Sequence, residues 1–122
     1  MLTKDYHCLE SIVEAIDRII EYTSGIDNAD AFNDDYRNFD ATMMNFVVIG
    51  EMVDKLSEDF KKDHGKIEWT KIKGFRNLVA HDYLGIDAEE VWQIINTSTE
   101  KEIQYLNHEH RIHSRDYKKT SH

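Results

Sequence analysis

Proline is absent from these 122 residues and glycine occurs only five times. Proline removes a backbone donor and glycine loosens the chain, so a sequence with so few of either favours long helices over many short strands. The single cysteine, Cys8, cannot close an internal disulfide, and nothing points to an oxidising compartment. No apolar run approaches the roughly 20 residues needed to cross a bilayer. The opening Met1-Leu2-Thr3-Lys4-Asp5 also lacks the apolar core of a secretion signal. The expectation is a cytoplasmic domain with no membrane partner. A chain of this length can bury roughly two-thirds of its unfolded surface, enough for one core without covalent staples.

Positive charge is also scarce. The formal net charge is −9, which argues against chain-wide attraction to nucleic acid, because binding is driven by cations that displace counterions. DNA is therefore not an expected partner. The distribution is uneven, however: residues 1–60 carry 4 Lys/Arg against 14 Asp/Glu, and residues 61–122 carry 11 against 10. From Lys61 to Arg76 there are six basic and two acidic residues, so any RNA contact is expected near that stretch.

Four helical segments stand out. Over residues 3–23, Tyr6, Leu9, Val13, Ile16 and Ile20 step 3-4-3-4 and predict one apolar face. Thr3 is placed to cap this helix and Gly25 to end it. Residues 27–35 read as a loop or one short helical turn. A second helix is predicted over 36–62, with Phe46, Ile49, Val53, Leu56 and Phe60 inward and Phe39, Met43 and Val47 widening the stripe; the Met43-Met44 pair reads as core. Gly50 sits mid-helix, where it costs about 1 kcal/mol relative to alanine, and its expected use is close approach of a neighbouring helix. After Asp63-His64-Gly65, a third helix is predicted over 69–81, with Trp69, Ile72, Phe75 and Val79 inward. Gly85 ends the turn beyond it. Asp87 followed by Glu90 resembles a capping box opening a fourth helix over 87–106, with Val91, Trp92, Ile94, Ile95, Ile103 and Leu106 inward. The expectation is an all-α fold, an antiparallel four- to five-helix up-and-down bundle occupying residues 1–107, followed by a polar tail over 108–122. The dense apolar face of the second helix suggests a homodimer.

Chemistry concentrates in Gly74-Phe75-Arg76-Asn77-Leu78-Val79-Ala80-His81-Asp82-Tyr83. Arginine clamps a phosphate with a fork of donors, and histidine shuttles protons near neutral pH. Those two parts suffice in principle to cleave RNA without a metal: His81 moves protons at the 2′-hydroxyl or the leaving oxygen, and Arg76 holds the charge that builds on the phosphoryl oxygens. Chance places about 0.3 Arg-x4-His pairs in a chain of this composition, and requiring a tyrosine two residues later lowers that to roughly 0.015. Five residues turn a helix by about 500°, which leaves Arg76 and His81 about 140° apart. Either the helix loosens at His81, or the site is assembled across a two-fold axis from two copies, as an isologous interface allows.

Arg76-x4-His81-x-Tyr83 is similar to the signature of the HepT-like family of HEPN domain proteins. The resemblance extends to Ile49-Gly50-Glu51 with Lys55-Leu56-Ser57, to Trp69-Thr70-Lys71-Ile72, and to Tyr83-Leu84-Gly85-Ile86-Asp87 leading into Val91-Trp92. It covers about residues 5–106. Family members often carry proline just before the tryptophan, where this chain has Glu68. The resemblance implies a dimeric helical bundle with a composite cleft lined by Arg and His of both subunits. The activity it implies is that of a ribonuclease toxin of a type VII toxin–antitoxin pair, acting on RNA with no cofactor. It also implies a cognate antitoxin, a minimal nucleotidyltransferase that transfers AMP onto the motif tyrosine, here Tyr83. AMP attached there is expected to put a phosphate beside Arg76 and fill the cleft.

Blander roles compete with these. Arg76 and His81 can form a helix-end ion pair with carboxylates such as Asp82. Asn77 can orient the phosphate or His81, or satisfy a backbone group. Asp82 can tune His81 by its charge or stand as a solvated turn acid. Glu51 can pair with Arg76 in the cleft or remain a surface acid, and Tyr83 can simply pack against the bundle. His108, His110 and His113 lack the companion spacing of a metal site and read as a solvated tail. The alternative function is a non-catalytic helical partner that presents substrate to a nucleotidyltransferase.

Overall fold

The computed structural model describes residues 2–98, 105 and 108–112, and among these the chain forms helices and no strands. Three long helices carry the architecture: α1 (Thr3–Thr23), α3 (Tyr36–Lys55) and α5 (Trp69–His81). Short helices α2 (Ala29–Asp34), α4 (Glu58–Asp63) and α6 (Ala88–Gln93) link and flank them. A 3-10 turn, Tyr83–Gly85, precedes α6, and a π-helical turn, Ile94–Ser98, follows it. The all-α bundle expected from the sequence is what the chain forms.

α3 lies between α1 and α5. The carboxylate of Asp5, at the start of α1, accepts from the Ser57 backbone N–H at 2.8 Å and from the Ser57 hydroxyl at 2.6 Å, just beyond the end of α3. The two helices therefore run antiparallel. On the other side, Lys73 reaches Asp54 at 3.5 Å, Arg76 reaches Glu51 and Tyr83 reaches Asp40. Residue numbers rise on α5 as they fall on α3, so this pair is antiparallel too.

The core runs through all the elements: Leu9, Ile12 and Ile19 of α1, Phe32 of α2, Met43, Phe46, Ile49 and Val53 of α3, then Phe60, Ile67, Val79 and Val91. Each such side chain gains about 1.5–3 kcal/mol by leaving water. Where the sequence and the structure differ, the cause is local. The buried face of α1 is centred on Leu9, Ile12, Ala15 and Ile19, and Ile20 is 47% exposed. Ile12, Ala15 and Ile19 make a second 3-4 series one position before the predicted Val13-Ile16-Ile20 series, and packing on α3 selects it. Thr3 opens the helix from within, while the cap position falls to Leu2, which supplies no side-chain bond.

The predicted 36–62 helix is two helices. Leu56 and Ser57 are extended, and the Ser57 hydroxyl accepts from the Phe60 N–H to cap α4. Leu56 and Phe60 still reach the core, so the apolar spacing survives a break it cannot reveal. Met44 is 63% exposed beside a fully buried Met43, which corrects the reading of both as core. α6 is capped by the Asp87 carboxylate, which accepts from Glu89 N–H at 2.9 Å. Ile103, Leu106, His113 and the end of the predicted fourth helix lie outside the described residues. Residues 108–112 are helical, and His110 stacks on Tyr6 with ring centroids 5.6 Å apart, so His110 is half-buried and not a solvated tail residue.

Candidate functional site

The motif lies on α5 and the turn after it, and α3 decides its geometry. Gly50 is buried on α3. A methyl group placed on it would collide with Cβ and Cγ of Arg76. The absent side chain is what lets the Arg76 stem lie flat against α3. This is the close helix approach expected of that glycine, and the residue that uses it is the motif arginine.

Arg76 is held at both ends of its fork. One terminal nitrogen donates to Glu51 Oε1 and the other to Asn77 Oδ1 at 2.9 Å. Glu51, one residue beyond Gly50 on α3, is thereby a partner of Arg76 and not a free surface acid. Asn77 bonds the arginine directly and orients it. Nε of Arg76 is buried and has no hydrogen-bond partner among the described residues. A guanidinium carries five N–H donors; two are engaged here and one is buried, which leaves one N–H on each terminal nitrogen without a bond.

His81 is the last residue of α5 and is exposed. Among the described residues, no hydrogen bond or ion pair joins it to Arg76 or to Asp82. α5 keeps its helical turn through His81, and the Asp82 N–H bonds Leu78 O at 2.8 Å, so the helix does not loosen to bring Arg76 and His81 together. Asp82 folds over Gly85, where a methyl would lie 2.6 Å from its carboxylate oxygens.

Tyr83 opens the 3-10 turn and returns to α3, where its hydroxyl donates to Asp40 and its ring meets Phe39 edge-on, centroids 6.2 Å apart. It is 37% exposed. Burial first, then the hydrogen bond to Asp40 and the charge of that carboxylate, push its pKa up to about 12. Asp40 and Glu51 are eleven residues apart on one helix, or about 16 Å along its axis. The Tyr83 hydroxyl therefore sits beside a different part of α3 from Arg76. Among the described residues Tyr83 makes no hydrogen bond to Arg76 of the same chain. Asp40 is the site residue that sequence reasoning missed. It lies 43 residues from Tyr83 and belongs to no local motif.

The basic stretch is less cationic than its composition. Lys61 pairs with Glu58 at 3.2 Å, Lys71 with Glu68 at 3.0 Å and Lys73 with Asp54 at 3.5 Å. Lys62 and Lys66 carry no ion pair among the described residues.

Residues 12–108 match the family described as ribonuclease HepT-like. Among similar proteins is one from Thermococcus cleftensis named probable ribonuclease HepT, 35% identical over 92 residues, which are 75% of this chain and 81% of that protein. A protein from Caldanaerobacter subterraneus named as an inferred RNase is 31% identical over 87 residues, 71% of this chain and 77% of its own length. Another, from Methanocaldococcus jannaschii and named likewise, is 29% identical over 93 residues, 76% of this chain and 84% of its own. No solved structure gives a significant match. With the family match spanning most of the chain, this protein belongs to the ribonuclease HepT-like family.

Proposed function

We propose that this protein is an endoribonuclease that cuts RNA without a metal ion, through Arg76 and His81 contributed by two copies of the chain. The observation that carries this reading is the state of Arg76. It is fixed by Gly50, Glu51 and Asn77, and one N–H on each of its two terminal nitrogens remains for a phosphate. A pre-set fork of donors stabilises charge that develops on phosphoryl oxygens without reorganising during the reaction. His81, exposed at the helix end, is free to take the 2′-hydroxyl proton or to protonate the leaving oxygen.

The two groups point about 140° apart on one helix, so a single copy does not aim both at one phosphate. A two-fold partner supplies the second group. Leu78, Leu84, Met44 and Tyr36 leave apolar surface exposed on α5, the turn after it and α3, with Leu84 99% exposed. Apolar surface of that kind gains by being covered. The reading extends to control: a minimal nucleotidyltransferase transfers AMP to Tyr83, and the added nucleotide blocks the His81 end of the cleft. The unmodified chain then acts as a cytoplasmic toxin and the transferase as its antitoxin.

A second reading, a non-catalytic subunit that presents Tyr83 to the transferase, draws on the ion pairs that neutralise Lys61, Lys71 and Lys73. One experiment separates the two. Purified, unmodified protein is incubated with total cellular RNA in EDTA, beside Arg76→Ala and His81→Ala. Cleavage by the wild type, ending in 2′,3′-cyclic phosphates and reduced at least ~100-fold in each variant, supports the enzyme. Mixing the two inactive variants restores cleavage if Arg76 and His81 act from different copies. No cleavage by wild-type protein, with an intact mass showing Tyr83 unmodified, leaves the non-catalytic reading.

A further inference from the structure

Tyr83 does not stand alone at the turn: its phenol O–H is directed into a carboxylate on another helix. We propose that Asp40 is the proton acceptor that readies Tyr83 for nucleotide transfer. The inference rests on the reading of Tyr83 as a modified residue and adds the group that makes it reactive.

Asp40 lies on the outer part of α3 and is exposed, so it has no need of Tyr83 to satisfy it; water would serve. Tyr83 is nonetheless drawn down onto it, with Phe39 as the edge-on wall that fixes the ring plane. Phe39 in turn packs against Phe32 of the core, centroids 5.0 Å apart, so the wall is anchored. Asp40 is the charged group facing the phenol among the described residues. Phe39 is neutral, and Asp82 in the adjacent turn lies over Gly85 instead.

A neutral phenol is a weak nucleophile, and this one keeps its proton more firmly than an ordinary tyrosine. At neutral pH only about one Tyr83 in 10⁴–10⁵ would be ionised. Transfer therefore needs the proton removed as the bond forms. In the proposed step the phenol oxygen bonds to the α-phosphorus of a nucleoside triphosphate. The bond from that phosphorus to the bridging oxygen of pyrophosphate breaks, and pyrophosphate leaves with the electron pair. The phenol proton passes to the Asp40 carboxylate. The hydrogen bond that holds the proton before reaction becomes the path by which it leaves.

Asp40→Asn keeps the shape and removes the base. The test uses full-length protein with ATP and a minimal nucleotidyltransferase, reading nucleotide on Tyr83 by intact mass with Tyr83→Phe as the blank. Wild type is expected to be modified with little pH dependence above neutrality. Asp40→Asn, shown folded by circular dichroism, is expected to react at least ~100-fold more slowly at neutral pH. Its rate should then climb about tenfold per pH unit as phenolate accumulates, since it can react only from the ionised form. A merely structural residue would not produce that slope. Equal rates and equal pH profiles in the two proteins overturn the role of Asp40 while leaving Tyr83 as the target. A wild type that gains no nucleotide at Tyr83 overturns the modification reading itself, and this inference with it. A titration of tyrosinate absorbance needs no transferase: after subtraction of Tyr83→Phe, Tyr83 of Asp40→Asn should ionise at lower pH than in the wild type, with burial still holding it above an ordinary tyrosine. An unshifted titration would show that Asp40 does not hold the phenol.

Discussion

α3 presents two unlike faces, and the contrast between them organises the molecule. Toward α1 it offers Met43, Ile49 and Val53 to Leu9, Ile12 and Ile19, an apolar contact closed at one end by the part-buried Asp5–Ser57 hydrogen bonds. Toward α5 it offers Gly50, Glu51, Asp54 and Asp40 to Arg76, Lys73 and Tyr83. Part of that second face remains apolar, where Phe46 meets Phe75 with centroids 4.9 Å apart. Nonpolar burial supplies most folding free energy, whereas half-exposed ion pairs supply little. The first face therefore holds the fold together, and the second spends contact on holding particular groups in place. One helix divides stability from chemistry by direction.

The sharpest way to break this comparison is in the core. Leu9→Ala should cost about 2–5 kcal/mol of stability, because the fully buried leucine leaves a cavity. Urea unfolding measures it, and the protein that remains folded should cleave RNA at the wild-type rate. A loss of cleavage per folded molecule would mean that the two faces are not separable.

Gly50→Ala attacks the other side. The new methyl would collide with the base of the Arg76 side chain, which cannot swing away without moving α5. Overpacking of this kind costs roughly 1–3 kcal/mol, and here cleavage should fall further than stability because the displaced group is Arg76 itself. Unfolding curves and cleavage rates from the same preparation decide it; a variant with full activity would show that the close approach is only packing.

Glu51→Gln should have the smallest effect on folding, less than about 1 kcal/mol, since both side chains of the pair are partly in water. Cleavage should still drop several-fold as Arg76 loses its charged anchor. If stability falls and cleavage does not, the pair belongs with the scaffold and the contrast between the faces weakens.

Much of this was readable in advance. The absence of proline and the 3-4 spacing of apolar residues determined that the chain is helical, and they located α1 and α5 closely, because helix periodicity is a local property. The grouping of Arg76, His81 and Tyr83 was equally local, as was the suspicion that Gly50 marks a close approach. The break at Leu56–Ser57 was not legible. Leu56 and Phe60 keep their apolar spacing across it, and the reason for the break, a serine that caps α4 while bonding Asp5, involves a residue 52 positions away. The choice between two overlapping stripes on α1 was likewise made by what α3 presents. For the site, the sequence named the arginine and the tyrosine and offered Glu51 as a partner of Arg76, but gave no sign of Asp40. That Arg76 lies against Gly50 with Glu51 and Asn77 on its fork, and that Tyr83 turns back to Asp40, follows from two antiparallel helices meeting at one register. Spacing along the chain determines which side chains share a helix face; only the packing of one helix on another decides which groups come within hydrogen-bond reach.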